Sequence, residues 1–422
     1  VTSIYTTINL TMAIPVVAAA LLAAWRLRGA ERRRWLVGVG GSAVVLLVLT
    51  AIFDNLMIAA GLVAYDDSLT SGIFVGLAPL EDFSYAIATA VFVPSVWSVL
   101  TAGPRSGDRG AGAEDSAVEV DDDEASTPGR PASPGLLTVL FWSSRPVSWV
   151  NTAAPFGLAY FLATGGFDLV GVVGTIFFLV PYNLAMYGIN DVFDYESDLR
   201  NPRKGGVEGS VLDRSRHRAT LIASAVSTVP FLVFLVAVGT IESSLWLAVS
   251  AFAVIAYSAK GLRFKEIPFL DSVTSAFHFA SPAIVGWTIA GADLTGGVWV
   301  CLIAFLLWGA ASQSFGAVQD VRFDREAGLK SVATVLGARA TVWFALACYA
   351  AAVLVLLIAG PWPASGAAFA ILPYLATVAA YGRVDDATAE KTHEGWERFL
   401  VLNMLAGFCV TQLILWSVLV WA

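Results

Sequence analysis

Charge is what this chain has least of. Asp, Glu, Lys and Arg make up 14% of its 422 residues against 57% hydrophobic, and the mean hydropathy is +0.72. That balance excludes an ordinary soluble domain and places the chain in the polytopic membrane class. Cysteine is scarce too. The three present (Cys301, Cys348, Cys409) lie far apart in apolar runs, which excludes a disulfide framework and a CxxC metal site. The three histidines, His217, His278 and His393, are equally scattered. The net charge of −8 does not suggest nucleic acid as a partner, and no short-period repeat is visible.

Basic residues are missing from every second connection. Taking spans of about 20 apolar residues, twelve are expected: Ile4 to Trp25, Trp35 to Leu62, Ile73 to Leu100, Val147 to Gly165, Leu169 to Ile189, Ala219 to Thr240, Leu245 to Ala259, Phe269 to Ala290, Val298 to Val318, Ala340 to Gly360, Ala364 to Tyr381 and Phe399 to Ala422. All 25 Lys and Arg fall in alternate connections, and GLVAYDDSLTSG, GGFDLV, GTIESS, GADLTGG and AGPWPAS contain none. Cytoplasmic loops are the ones enriched in Lys and Arg, so both termini are expected outside. The first segment is too long and too poor in a cleavage site for a removable signal peptide.

The fold class expected is therefore all-α, with three transmembrane helices followed by a nine-helix bundle. Residues 1–102 form the first domain and 136–422 the second. Between them 103–135, rich in Gly, Ser, Pro and acids, reads as a flexible tether.

Two acidic clusters stand at predicted cytoplasmic helix ends. The first is NDVFDYESD, and the second, after the sixth helix of the larger domain, is DVRFDREAGLKSVATVLG. At about 100° per residue, Asn190, Asp191, Asp194 and Asp198 share one face of a continuous helix and Glu196 points away. Asp320 and Asp324 are nearly eclipsed. Carboxylates at a helix C-terminus oppose the helix dipole at a cost of a few tenths to about 1 kcal/mol each, so cations should compensate them. Solvated helix ends are the plain alternative. Two such clusters on one membrane side favour a hard cation, since Mg²⁺ takes one or two carboxylates together with phosphate oxygens.

These motifs resemble the two aspartate-rich motifs of the UbiA superfamily of intramembrane prenyltransferases. SRPVSW (Ser144 to Trp149) and YSAKGLRFK (Tyr257 to Lys265) extend the resemblance, which runs from about Arg145 to the C-terminus. It implies nine helices and a Mg²⁺-diphosphate site built from Asn190, Asp191, Asp194, Asp198, Asp320 and Asp324. It also implies Arg145, Arg203, Lys204, Lys260, Arg263, Lys265 and Lys330 as candidates to neutralise the diphosphate. Tyr257 is expected to hydrogen-bond that group or flank an allylic cation. Stabilising the leaving diphosphate gives the cation, which an electron-rich acceptor attacks while the apolar bundle excludes water.

The first domain carries Asp54, Glu81 and Asp82 inside apolar segments, where an ionisable group is a functional hypothesis by default. Asp54 is placed about eight residues before one helix end and Glu81 about eight after the next start, so that both lie in the outer half. FDN followed by PLEDFSY resembles the small three-helix lycopene cyclase polypeptides that work in pairs, with Asp82 where a second Glu is frequent. A carboxylic acid there would protonate a polyene end, and a separate small three-helix cyclase subunit is implied as partner.

Together the two halves resemble the fused elongase–cyclase enzymes of bacterial C50 carotenoid synthesis. The resemblance implies transfer of a C5 group from dimethylallyl diphosphate to the ends of lycopene, then ring closure of the elongated carotenoid. It places the chain in the cell membrane, with its lipid bilayer around the bundle and the transfer site on the cytoplasmic side. Two alternatives stay open: prenylation of an aromatic quinone precursor with the first domain as anchor, and a divalent-cation transporter.

Overall fold

A computed structural model describes residues 4–59, 63, 65, 70–101, 135–166, 168–198 and 212–421. The chain divides into two compact units, Val1–Pro128 and Gly129–Ala422. Apart from Gly135, the tether expected over 103–135 lies outside the described residues, as do Arg203, Lys204 and the side chain of Asp198.

The first unit consists of α1 (Ile4–Arg26), α2 (Gly29–Ala59), a two-stranded hairpin of β1 (Phe74–Val75) and β2 (Ala78–Pro79), and α3 (Leu80–Thr101). Helix α3 packs on both α1 and α2. The hairpin pairs Phe74 with Pro79 and Val75 with Ala78, turning through Gly76 at φ +69°. Asn55, near the end of α2, holds this turn: its Oδ1 accepts the Leu77 N–H at 2.5 Å and its Nδ2 donates to Val75 O at 3.0 Å. A Cβ at position 76 would stand 2.2 Å from that Oδ1, so both the left-handed backbone and the close approach call for glycine.

The hairpin corrects one expected span. The segment expected to be helical from Ile73 starts only at Leu80, because Gly72, Gly76 and Pro79 turn the chain first. Glu81 and Asp82 therefore sit in the first turn of α3 rather than eight residues in, and Asp54 is five residues from the end of α2 at Ala59.

The second unit opens with α4 (Leu136–Ser143), a 3₁₀ turn (Pro146–Ser148), α5 (Trp149–Thr164), α6 (Leu169–Leu179), α7 (Pro181–Phe193) and the single turn α8 (Tyr195–Asp198). It continues with α9 (Arg214–Val238), α10 (Ile241–Ser258), a 3₁₀ turn (Phe264–Glu266), α11 (Leu270–Ile289), α12 (Gly296–Val318), α13 (Val321–Glu326) and α14 (Val332–Leu336). It closes with α15 (Ala338–Ala359), α16 (Ala367–Ala379) and α17 (His393–Trp421). The starts follow local chemistry. Asp168 accepts the Val170 and Gly171 N–H groups at the head of α6, and Thr240 and Ser331 form reciprocal caps with Ser243 and Thr334. Pro181, which lacks an N–H to bond the preceding turn, separates α6 from α7 at Val180.

Six helical stretches among the described residues are long and apolar enough to cross a membrane: Gly29–Ala59, Leu169–Phe193, Arg214–Val238, Ile241–Ser258, Gly296–Val318 and Ala338–Ala359. Helix α11 is the hub of the second unit, packed on α5, α10 and α12. Its approach to α5 is close enough that a Cβ at Gly286 would meet the Phe156 carbonyl oxygen at 2.4 Å, the small-residue packing that membrane helices use to bring backbones together.

Candidate functional site

The elements of the second unit bring four backbone ends to one pole. The end of α10 meets the end of α7, where Ser258 Oγ donates to Asn190 Oδ1 at 2.8 Å. The start of α11 meets the segment after α12, where Asp271 Oδ2 accepts the Val332 N–H at 2.8 Å. Because the 3₁₀ turn Phe264–Glu266 joins α10 to α11, both acidic motifs, at the ends of α7 and α12, stand at this same pole.

The first motif is met by three cations. Arg145 donates to Asp191 Oδ1 at 3.1 Å, and Asp191 is 1% exposed. Lys265 Nζ bonds Asn190 Oδ1 at 3.1 Å and also Asp194 Oδ1, while Arg263 approaches the same Asp194 oxygen at 3.7 Å. Burial pushes the Lys265 ammonium below the usual lysine range, and the Asp194 carboxylate partly restores it. The compensation expected for carboxylates at a helix C-terminus is thus supplied, from either side, by Arg145 ahead of α5 and by the turn after α10.

Helix α7 stops at Phe193, and Asp194 caps it at φ −95°, ψ −3° before α8. The continuous helix expected through Asp198 is therefore bent at Asp194. The i to i+4 bond from Asp194 N–H to Asn190 O survives at 2.9 Å and keeps those two side chains together, whereas Asp191 turns toward Arg145. Glu196 pairs with Arg214 on an exposed surface, away from the site.

Among the described residues, two of the three non-glycine residues with positive φ are the arginines at this motif, Arg145 at 50° and Arg263 at 42°. A left-handed backbone costs an ordinary residue roughly 1–2 kcal/mol. Such strain persists only where surrounding structure demands it, and it concentrates at functional sites. Arg145 also lies 4.5 Å from the ring centre of Tyr187, one turn before Asp191 on α7.

The second motif is built differently. Asp320 stands at the head of α13, its carbonyl taking the Asp324 N–H at 2.9 Å, and both side chains are half-buried. Arg325 ties this turn down by donating to Thr334 O at 3.1 and 3.0 Å and by pairing with Asp386. Asp386 in turn takes the Ala338 N–H at the head of α15 at 2.6 Å; that bond, and then Arg325, hold its carboxyl below the usual carboxylate range. Gln319, beside Asp320, bonds Nδ1 of His393 through Oε1 at 2.6 Å.

The remaining candidates separate. Tyr257 lies within electrostatic reach of Asp271 and of Asp194 in the first motif, close to Ser275, whose Oγ donates to Gln313 at 3.0 Å, and its ring stands edge-on to His278. Lys260 and Lys330 are exposed and make no ion pair with a described residue. Sequence reasoning missed Ser258, Asp271, Arg325, Asp386 and the His393–Gln319 contact. Short spacing signals none of these, because each joins residues 9 to 74 positions apart.

In the first unit, Glu81 is 8% exposed and accepts the Ser71 N–H, and Asn9 Nδ2 donates to its carbonyl at 3.2 Å. Tyr65 donates to Asp82 at 2.5 Å. Asp54 lies within electrostatic reach of Asp82, the neighbour of Glu81 in the first turn of α3. The three candidate acids are gathered beside the hairpin.

Among the described residues, no three His, Cys, Asp or Glu side chains converge as a preformed metal cage. The donor set at the pole nonetheless suits a hard cation. It consists of carboxylates and one amide oxygen, and Asn190 and Asp194 already hold the Lys265 ammonium between them.

An all-helical membrane bundle with acids and cations gathered at one pole is the class of protein these features define. Residues 152–405 match the UbiA prenyltransferase family and residues 2–100 the lycopene cyclase family. The chain belongs to the UbiA prenyltransferase family. It is 80% identical over 431 residues, covering all of both chains, to a "C(50) beta-cyclic carotenoids biosynthesis protein" of Dietzia sp. (strain CQ4). It is 54% identical over 280 residues, 66% of this chain and 97% of the relative, to a "Lycopene elongase/hydratase" of Corynebacterium glutamicum. A solved digeranylgeranylglyceryl phosphate synthase shares the fold at TM-score 0.50 and 16% identity, over 65% of this chain and 98% of that one.

Proposed function

We propose that the chain is an intramembrane enzyme of C50 carotenoid biosynthesis. Its second unit transfers the C5 group of dimethylallyl diphosphate to the ends of lycopene. Its first unit, with a separate small three-helix subunit, contributes to ring closure of the elongated ends. The observation that carries the transfer half is the convergence of Arg145, Arg263 and Lys265 on Asn190, Asp191 and Asp194. The full-length similarity to a protein named for the biosynthesis of C50 beta-cyclic carotenoids, with the lycopene cyclase match over residues 2–100, supports joining it to cyclisation.

The residues divide the labour. Bound Mg²⁺, held by Asn190, Asp191, Asp194, Asp198, Asp320 and Asp324, would draw electron density from the diphosphate oxygens. Lys265, Arg263 and Arg145, with Arg203, Lys204, Lys260 and Lys330 as further cations, orient the diphosphate and take up its charge as the C–O bond breaks. The apolar interior keeps water from the allylic cation until the terminal double bond of the polyene attacks it. In the first unit Glu81, Asp82 and Asp54 are the acids for protonating the elongated end. The pole faces the cytoplasm, following the Lys and Arg distribution.

Membranes containing the chain, incubated with lycopene, dimethylallyl diphosphate and Mg²⁺, should form C45 and C50 polyenes. Prenylation of an aromatic acceptor with lycopene untouched would overturn the substrate assignment. Mg²⁺ flux without any transfer would favour transport.

A further inference from the structure

The elongation proposed above leaves a chemical debt inside the bundle, and the inference that follows rests on that reading. When the polyene double bond forms its new C–C bond to the allyl carbon, a tertiary cation remains on the polyene, and a neutral alkene results only if an adjacent C–H bond gives up its proton. The acids of the site stand at the pole, whereas the new cation forms further into the apolar interior.

His278 lies there. It is seven residues after Asp271 on α11, which puts it about 10 Å deeper along the helix axis. It is 2% exposed, and its ring stands edge-on to Tyr257 with centroids 5.2 Å apart. Tyr257 is the neighbour in sequence of Ser258, which bonds Asn190. The histidine is thus one side chain behind the wall of the first motif. The imidazole lies within reach of the Ala253 carbonyl, and because Nε2 has no hydrogen-bond partner among the described residues, Nδ1 is the nitrogen that faces that carbonyl. A ring that donates Nδ1–H to a carbonyl carries its lone pair on Nε2. Burying such a nitrogen without a partner costs about 1–3 kcal/mol, an expense that packing alone does not require.

We propose that His278 is the base that ends elongation. The C–O bond of dimethylallyl diphosphate breaks with its electron pair leaving on the diphosphate, and the polyene π pair makes the new C–C bond. A C–H bond beside the resulting cation then breaks, its pair becomes the alkene, and its proton goes to Nε2. The imidazolium returns that proton to water when the product leaves.

The test uses the full chain in membranes with lycopene, dimethylallyl diphosphate and Mg²⁺, and counts released diphosphate and extended alkene separately. His278→Gln and His278→Ala should keep diphosphate release close to wild type while extended alkene falls by about 10²-fold or more. The cation should be captured as a tertiary alcohol, and added imidazole should restore alkene in His278→Ala. His278→Asn, which keeps a donor toward Ala253, stands in where the alanine chain does not elute folded from detergent. Wild-type alkene yield from His278→Gln overturns the proposal, as does a parallel fall of diphosphate release and alkene in a folded variant. If the wild type itself extends no polyene, the proposed function fails. If it does and His278→Gln matches it, only the base does.

Discussion

Asp271 accepts the backbone N–H of Val332, 61 residues away, and with that one bond ties the head of α11 to the segment that follows the second aspartate motif. Its other oxygen takes the Ser272 N–H at 2.7 Å, and Ser272 Oγ receives the Ser314 hydroxyl of α12 at 3.0 Å. Since α11 also packs on the turn that carries Lys265, this buried carboxylate links the supports of both motifs.

Removing it should loosen the pole. Asp271→Ala leaves the Val332 and Ser272 N–H groups without their acceptor, at a cost of roughly 1–3 kcal/mol for each one left buried. Asp271→Asn keeps an acceptor oxygen and should lose less. Thermal unfolding of detergent-purified protein measures both, and equal midpoints for the two variants would contradict the role.

Asp191 is the buried end of the Arg145 pair, so Asp191→Asn should cost on the order of 10²–10³ in transfer rate while the amide keeps the shape of the site. Diphosphate release by membranes of matched protein content reads this directly. Retained turnover would remove Asp191 from the site.

Lys265 should set the basic limb of activity. Its burial lowers its pKa, so the ammonium that meets the diphosphate is lost at a lower pH than for an ordinary lysine. Lys265→Arg, protonated throughout, should move that limb to higher pH. A profile of diphosphate release between about pH 7 and 10 checks the direction, and an unmoved limb would assign it elsewhere.

Asp386 should contribute to acid sensitivity. Its carboxyl lies below the usual range in the folded state, so in the interval between the folded and unfolded values the unfolded chain binds more protons and stability rises with pH. The contribution is complete above the unfolded value of about 3.9 and is lost as pH falls through the folded one. Unfolding midpoints recorded as the pH is lowered through that range should fall less steeply for Asp386→Asn than for the wild type.

Glu81→Gln should let acyclic C50 polyene accumulate even with the partner subunit present, because an amide cannot deliver the proton that starts ring closure. Pigment profiles from lycopene-producing cells give the answer, and unchanged ring formation would demote Glu81.

Much of this was legible in the sequence where the signal was local. Apolar runs marked the helical stretches, and carboxylates set against a helix dipole called for cations, which Arg145, Arg263 and Lys265 supply. Backbone punctuation was read less well. Gly72, Gly76 and Pro79 delay α3, and the bend at Asp194 interrupts a helix whose composition continues smoothly. Invisible altogether were contacts such as Asp271 to Val332 and Arg325 to Asp386, since nothing in a linear string marks which carboxylate will find which distant donor.

The left-handed backbones of Arg145 and Arg263 have an evolutionary corollary. Glycine alone is at ease in that conformation, and arginine alone offers a forked, permanently charged head. A mutation therefore gains one property by forfeiting the other, and no single-step route passes through a residue that has both. In a deep mutational scan selected on pigment colour, these two codons should be among the most depleted of variants, with glycine faring no better there than alanine.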